Sequence, residues 1–349
     1  MIDWPFKTNK IMTNKTRNFN YFKILEKDNK ELTHSAFISY LLDNNRNFRK
    51  LFVEENDWQS SKLEQSYSHN KKRCRIDIEL RSNDENTILF IENKFKSFPE
   101  EEQLSKYDEI FKQKFNKDVK LIKILFCFDK KLVSFDNQWK IFDYQDLLKF
   151  LKINIDNYSD SDEKTFIEHY ILFLEEYVES YRNLEKNCKH LFNKVLTKKD
   201  KFWLRLLNSK IALEFKNNVK GDFKYVINPG NTSTPLLNII PKKWNEIIGE
   251  EVLIQFQGNS LSFYLHSANK NSAEKIIEFS KSKIWSNKVK LKKITKRKEK
   301  SCFIFKTLIT DNLNDDFTLN DVYKFLVVFY GNIDNKVIKN YAAITDGNP

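Results

Sequence analysis

Glycine, proline, cysteine and methionine are all scarce here, at six, six, four and two among 349 residues. All six glycines (Gly221, Gly230, Gly249, Gly258, Gly331 and Gly347) fall late in the chain. The long stretch before them can therefore hold neither a glycine-rich phosphate loop nor a dinucleotide fingerprint, and the later glycines match neither spacing. ATP-driven and nicotinamide-dependent chemistry drop out. Cys74, Cys127, Cys188 and Cys302 are far apart and form no C-x-x-C pair, which argues against a zinc site or a disulfide framework. Long apolar runs are missing too: Met1 to Asn20 lacks an apolar core of signal-peptide length, and Phe325 to Tyr330 is far too short to span a bilayer. These absences predict a reduced, soluble, cytoplasmic protein. His69, His169, His190 and His266 show no metal-ligand spacing and read as structural.

Positive charge is abundant. Lys plus Arg number 60 against 48 Asp plus Glu, a net +12 with a pI near 9.2, which favours a polyanionic partner. General over-use of Lys and Asn would produce the same excess, so charge alone gives modest support. The length suits two domains, or one with a large extension.

The most informative residues lie on two short strand-like runs, Arg75-Ile76-Asp77-Ile78-Glu79-Leu80 and Ile88-Leu89-Phe90-Ile91-Glu92-Asn93-Lys94. Side chains alternate along a strand, so Glu92 and Lys94 share one face and Asn93 points to the other. Ser82 to Asn86 between the runs is turn-rich and predicts an antiparallel hairpin. Upstream, Leu32, Phe37, Ile38, Leu41 and Leu42 recur at helical spacing, with Thr33 as N-cap or a start a few residues earlier. Asn56 to Lys72 is polar, with room for one short strand. Downstream, Pro99 and the acids Glu100 to Glu102 open a helix that carries Leu104, Tyr107, Ile110 and Phe111 on one face. Strands at Leu121 to Phe128 and Trp139 to Phe142 and a helix at Asp146 to Leu151 follow. This order predicts an α/β fold with a mixed sheet flanked by helices.

Phe166 to Leu191 reads as a long amphipathic helix joining two halves. Beyond residue 197, strands at Phe223 to Ile227, Leu236 to Ile240, Val252 to Phe256 and Ser262 to His266 predict a C-terminal α+β domain. A helix from Ser272 to Trp285, strands at Val289 to Thr295 and Ser301 to Leu308, and a helix from Leu319 complete it. The expected division is a core at 1–155, a helical connector at 156–196 and an accessory domain at 197–349, serving binding, oligomerisation or regulation.

Phosphodiester hydrolysis needs charge neutralised on the phosphoryl group, a water made nucleophilic and a leaving alkoxide stabilised. A divalent cation held by a few carboxylates meets all three needs. Asp77 and Glu92 supply hard oxygen ligands from neighbouring strands, and the carbonyl of Asn93 lies within reach of the same ion. Lys94 beside the cation could orient or deprotonate the attacking water, since a nearby cation lowers a lysine pKa.

Ile76-Asp77 followed by Glu92-Asn93-Lys94 resembles the PD-(D/E)XK nuclease superfamily, in which an acid ends one strand and acid-x-lysine follows on the next. Ile76 stands where the name-giving proline would be. Glu31-Leu32-Thr33-His34-Ser35 ahead of Leu41-Leu42-Asp43 resembles the E-x-x-H-S opening helix of one branch, and Gln103 to Tyr107 resembles the Q-x-x-x-Y motif of its RecB-like relatives. The resemblance covers about residues 25 to 150. It implies a restriction-endonuclease-like core using Mg²⁺ or Mn²⁺, with Asp77, Glu92 and Lys94 catalytic. Glu31, Asp77, Glu92 and Asn93 would serve the metal, and His34, Gln103 and Tyr107 the substrate. Gln103 and Tyr107, one helical turn apart, would touch the nucleic-acid backbone or brace Lys94; His34 reads equally as a capping or core histidine.

The implied activity is cleavage of nucleic acid, DNA favoured over RNA, in prokaryotic restriction or anti-phage defence, with a homo-oligomer or a defence-system protein as partner. The alternative is a catalytically inactive nucleic-acid-binding or regulatory module. Two readings stay open elsewhere. Glu79 is either a further acid or a residue of the solvated edge, and Lys281 to Lys300, with ten basic residues and one acid, is either a phosphate-binding stripe or a strand with a lysine-rich outer face.

Overall fold

The computed structural model describes residues 19–26, 30–54, 57–95, 101–133, 138–192, 196–228, 234–266 and 301–338. A short helix α1 (Tyr21–Ile24), α2 (Glu31–Asn44) and α3 (Arg46–Arg49) lead into β1 (Lys62–His69), β2 (Lys72–Arg81) and β3 (Thr87–Lys94). Then come α4 (Glu101–Lys114), β4 (Lys120–Cys127), β5 (Lys140–Asp143), α5 (Tyr144–Asn154) and α6 (Ser161–Leu184). The five strands lie in sequence order in one sheet. β1, β2 and β3 pair antiparallel, and β3, β4 and β5 pair parallel. The antiparallel hairpin and the mixed sheet are as expected, and the polar stretch before the motif contains a full strand, β1.

The sheet is buried on both faces, and that explains its near-continuous apolar runs. On one face α4 lays Leu104, Tyr107, Ile110 and Phe111 over Ile76, Ile88, Phe90 and Leu125. On the other, Leu89, Ile91, Ile124 and Phe126 pack with α2, α5 and α6. This is the helix-flanked mixed sheet of a restriction-endonuclease-like fold.

α2 starts at Glu31 after Lys30, which offers no side-chain cap, so Thr33 lies inside the helix. α6 begins earlier and ends earlier than its apolar pattern suggests: the Asp160 side chain caps it, accepting from the Glu163 N–H. Pro99 and Glu100 lie outside the described residues. So do the helix expected at Ser272 to Trp285, the strand at Val289 to Thr295 and the basic run to Lys300.

The later half contributes an antiparallel sheet in the order β10-β9-β8-β7-β6. Its strands are β6 (Phe223–Ile227), β7 (Leu236–Pro241), β8 (Glu251–Gln257), β9 (Ser260–His266) and β10 (Ser301–Leu308), accompanied by α8 (Lys242–Ile248) and α9 (Leu319–Ile333). One long helix, α7 (Lys198–Asn218), has no counterpart in the sequence reading. Its lysines hide an apolar stripe of Phe202, Trp203, Leu206, Leu207, Ile211 and Phe215, and a Thr197–Asp200 capping box starts it.

α7 joins the halves. Phe202 stacks on Phe95 with ring centroids 5.5 Å apart and meets Phe128 edge-on, so one apolar cluster runs from the first sheet into the second. Among the described residues no helix is long and apolar enough to cross a membrane. Removing the Phe202 ring opens a void where the halves meet. Phe202→Ala is expected to cost about 3–5 kcal/mol, read as a lower urea midpoint; a loss under about 1 kcal/mol would show that the contact carries little.

Candidate functional site

The site forms where the β2 alternation breaks. Ile76 packs under α4, whereas Ile78 and Leu80 pack on the opposite side of the sheet, although residues two apart ordinarily share a face. Asp77 sits at the switch, opposite Glu64, whose φ of +54° marks a local distortion of β1. The β2–β3 ladder ends at Ile78↔Ile91. Just beyond it, the Asn93 N–H donates to Asp77 Oδ2 at 2.7 Å. A carboxylate thus takes the place of a backbone partner, and Asp77 is held against β3 by its own side chain.

On β3, Glu92 is buried at 2 % exposure and its Oε1 lies 2.8 Å from Lys94 Nζ. The same oxygen accepts from Gln103 Nε2 at 2.9 Å. Gln103 also donates to the Tyr107 hydroxyl, which donates to the Arg75 carbonyl at 3.0 Å. The helical pair therefore braces Glu92 rather than Lys94. Gln103 and Tyr107 also line an open cleft of about 820 Å³ with Arg73, Arg75, Lys106 and Ser66.

Asn93 turns its side chain inward. Its Nδ2 donates to the Glu31 carbonyl at 3.2 Å and to Ser35 Oγ at 3.0 Å, and its Oδ1 accepts from the Tyr144 hydroxyl at 2.7 Å. These bonds set the start of α2 against the end of β3, which brings Glu31 close enough to act electrostatically on both Asp77 and Glu92. Only the Asn93 backbone carbonyl is left for the ligand role expected of that residue.

His34 is fully buried. Its Nδ1 and the Tyr170 hydroxyl are 2.8 Å apart, and its ring stacks on Phe95 and Phe173. The substrate role expected of it has no exposed surface to act through; the histidine anchors α2 to α6. Glu79 is not at a solvated edge either. It is 3 % exposed and paired with Arg81 Nε at 2.6 Å.

Burial dominates the electrostatics. It raises the Asp77 carboxyl above the usual range, against the Asn93 N–H and the Lys94 charge, while Glu31 and Glu64 add to the rise. Burial likewise raises Glu92, opposed by Lys94 and aided by Asp77 and Glu31. Burial would lower the Lys94 ammonium, but Glu92, Glu31 and Asp77 outweigh it, and its pKa is raised. With no cation beside it, the acids of this pocket hold Lys94 toward its charged form.

Residues 19–172 match the family model of the PD-(D/E)XK nuclease superfamily. Over that segment the chain is similar to the superfamily. No curated protein and no solved structure matches the chain. The PD-(D/E)XK segment runs past the span of the motifs into α6, whose Tyr170 and Phe173 cover His34. Superfamily members generally use divalent metals to hydrolyse nucleic acid.

The residues present fit such an ion. Asp77 and Glu92 are hard oxygen donors, and Glu92 Oε2 is buried without a hydrogen-bond partner, an arrangement that is costly unless something else satisfies it. Among the described residues no three His, Cys, Asp or Glu side chains form a metal-binding group. Two carboxylates suffice for Mg²⁺, which keeps several waters and takes few protein ligands.

The sequence reading quoted Ser35 only as part of a motif and missed Tyr144 and Tyr170, which are ordinary residues until the fold brings them to Asn93 and His34. It also missed Arg205 on α7, a half-buried cation whose charge interacts with Glu31. Nothing near Arg205 in the sequence signals this.

The raised Asp77 pKa makes a signed prediction. The unfolded carboxyl ionises at lower pH than the folded one, so stability from this group is present at acid pH and lost as pH rises through the raised folded value. In chelator, Asp77→Asn is expected to be more stable than the parent by about 1 kcal/mol at pH 8, the scale of one pKa unit, and equal to it near pH 4. Thermal melting at the two pH values checks this; a variant less stable at pH 8 would refute it.

Proposed function

We propose that this protein is a divalent-metal-dependent nuclease with DNA as its preferred substrate, its site formed by Asp77, Glu92 and Lys94. The observation that carries this reading is one arrangement: two buried carboxylates with raised pKa values, a charged lysine 2.8 Å from one of them, and an unpartnered buried oxygen on the same Glu92. Perturbed acids gathered beside a cleft, here joined to it through Gln103, are where chemistry is expected.

Asp77 and Glu92 would hold Mg²⁺ or Mn²⁺, with the Asn93 carbonyl and the Glu31 carboxylate beside them. When bound, the cation supplies positive charge to the phosphoryl oxygens and acidifies a water. Lys94, protonated, orients the attacking water and stabilises negative charge developing on the phosphate. Gln103 fixes the Glu92 rotamer, and Tyr107 fixes Gln103, so the carboxylate need not reorganise during reaction. The cleft beside them presents Arg73, Arg75 and Lys106, which suits a sugar-phosphate backbone.

The chain's excess of positive charge supports the same substrate class. We assign the catalytic domain to 1–155, the connector to 156–196 and an accessory role in binding, oligomerisation or regulation to 197–349. A role in restriction or phage defence in the prokaryotic cytoplasm agrees with the superfamily. The test is cleavage of labelled DNA and RNA with Mg²⁺, Mn²⁺ or chelator. Cleavage is expected to require metal and to fall at least about 10³-fold in Asp77→Asn and about 10²-fold or more in Lys94→Ala, the scale of losing one transition-state contact. Metal-dependent cleavage that survives both substitutions would place the reaction elsewhere.

A further inference from the structure

Arg205, on α7 and beyond residue 172, feels the charge of Glu31 at the start of α2. Helical geometry puts it there. His34 lies one turn along α2 from Glu31, and its ring stacks 3.8 Å from Phe95, the residue after Lys94. Phe95 is also met by Phe202, one turn before Arg205 on α7. Residues three apart on a helix share a face, so Arg205 lies on the face of α7 that meets Phe95, and Glu31 on the face of α2 that does.

The Arg205 backbone is fixed as well. Its carbonyl accepts from Asn228 Nδ2 at 3.1 Å, and Asn228 is itself held by Asn208. Its guanidinium is half-buried, yet among the described residues no side chain forms a hydrogen bond or ion pair with it. Burial presses its pKa below the usual value, and the Glu31 charge opposes that. A guanidinium kept partly out of water without a fork partner is poised for an oxyanion, since its planar donors match phosphate geometry.

We propose that Arg205, carried by α7 of the accessory half, binds a phosphate of the nucleic-acid substrate next to the Asp77–Glu92–Lys94 centre and positions it for cleavage. This rests on the nuclease reading above. It gives α7 a chemical role: the centre is completed from outside the PD-(D/E)XK segment. The alternative is that Arg205 only balances the charge of Glu31.

Arg205→Met keeps the apolar stem against α7's neighbours and removes the fork; Arg205→Lys keeps charge without it. Arg205→Met is expected to melt with the parent, to bind Mn²⁺ at least as tightly, and to lose about 10²-fold in kcat/KM, with Arg205→Lys recovering part of the loss. In the Asp77→Asn background, Arg205→Met is expected to weaken binding of a fluorescent oligonucleotide and to reduce the salt slope by about one. Parallel arms with DNA and RNA identify the strand. If Arg205→Met cleaves and binds within about twofold of its parent while Asp77→Asn is dead, Arg205 has no substrate role and the nuclease centre stands. If Asp77→Asn and Lys94→Ala cleave normally, the nuclease centre itself falls. If Arg205→Met loosens Mn²⁺ without changing oligonucleotide binding, it acts only on the acids and the proposal is overturned.

Discussion

Asn93 holds the site together. Its N–H fixes the Asp77 carboxylate, its amide nitrogen ties down the first turn of α2, and its amide oxygen takes the Tyr144 hydroxyl from α5. All of these bonds lie at least partly out of water, where a lost partner leaves the other group unsatisfied at a cost of about 1–3 kcal/mol. Three elements, β2, α2 and α5, thus converge on one residue near the end of β3. Glu92 and Lys94, immediately on either side of it, inherit that rigidity.

The rigidity is set against unfavourable charge. Asp77 and Glu92 crowd one pocket with Lys94 under the influence of Glu31, and burial makes Asp77 and Glu92 reluctant to ionise. A fold selected for stability alone would not keep two such acids beside an oxygen with no partner. The arrangement is economical only if a cation and a polyanion complete it. The Gln103–Tyr107 brace then holds Glu92 in place, while the protonated Lys94 keeps the pocket from carrying three uncompensated charges.

The second half of the chain is not a detached appendage in this picture. Phe202 and Trp203 of α7 meet Phe128 and Tyr177, and the apolar cluster continues from there to the second sheet. Packing of this kind transmits position with little slack. A side chain on α7 can therefore be held beside the acids as firmly as one on the first sheet.

Much of this was legible beforehand. The two motif strands, their hairpin, α4 and the strands at 223–227 and 301–308 follow from alternation, apolar runs and turn residues, which are local properties. So does the pairing of Gln103 with Tyr107 on one helical face. What escaped were contacts between segments distant in the chain: His34 with Tyr170 and Asn93 with Tyr144. α7 escaped because its many lysines mask a stripe that shows only once a partner surface is known. The spacing of Asp77, Glu92 and Lys94 was determined by the sequence alone, because strand periodicity puts an acid and an amine on one face wherever the strand sits. Which atoms they touch, that the surrounding acids raise the Lys94 pKa, and that His34 faces the core were decided by tertiary structure, because burial and neighbouring charge are properties of a site and not of a residue.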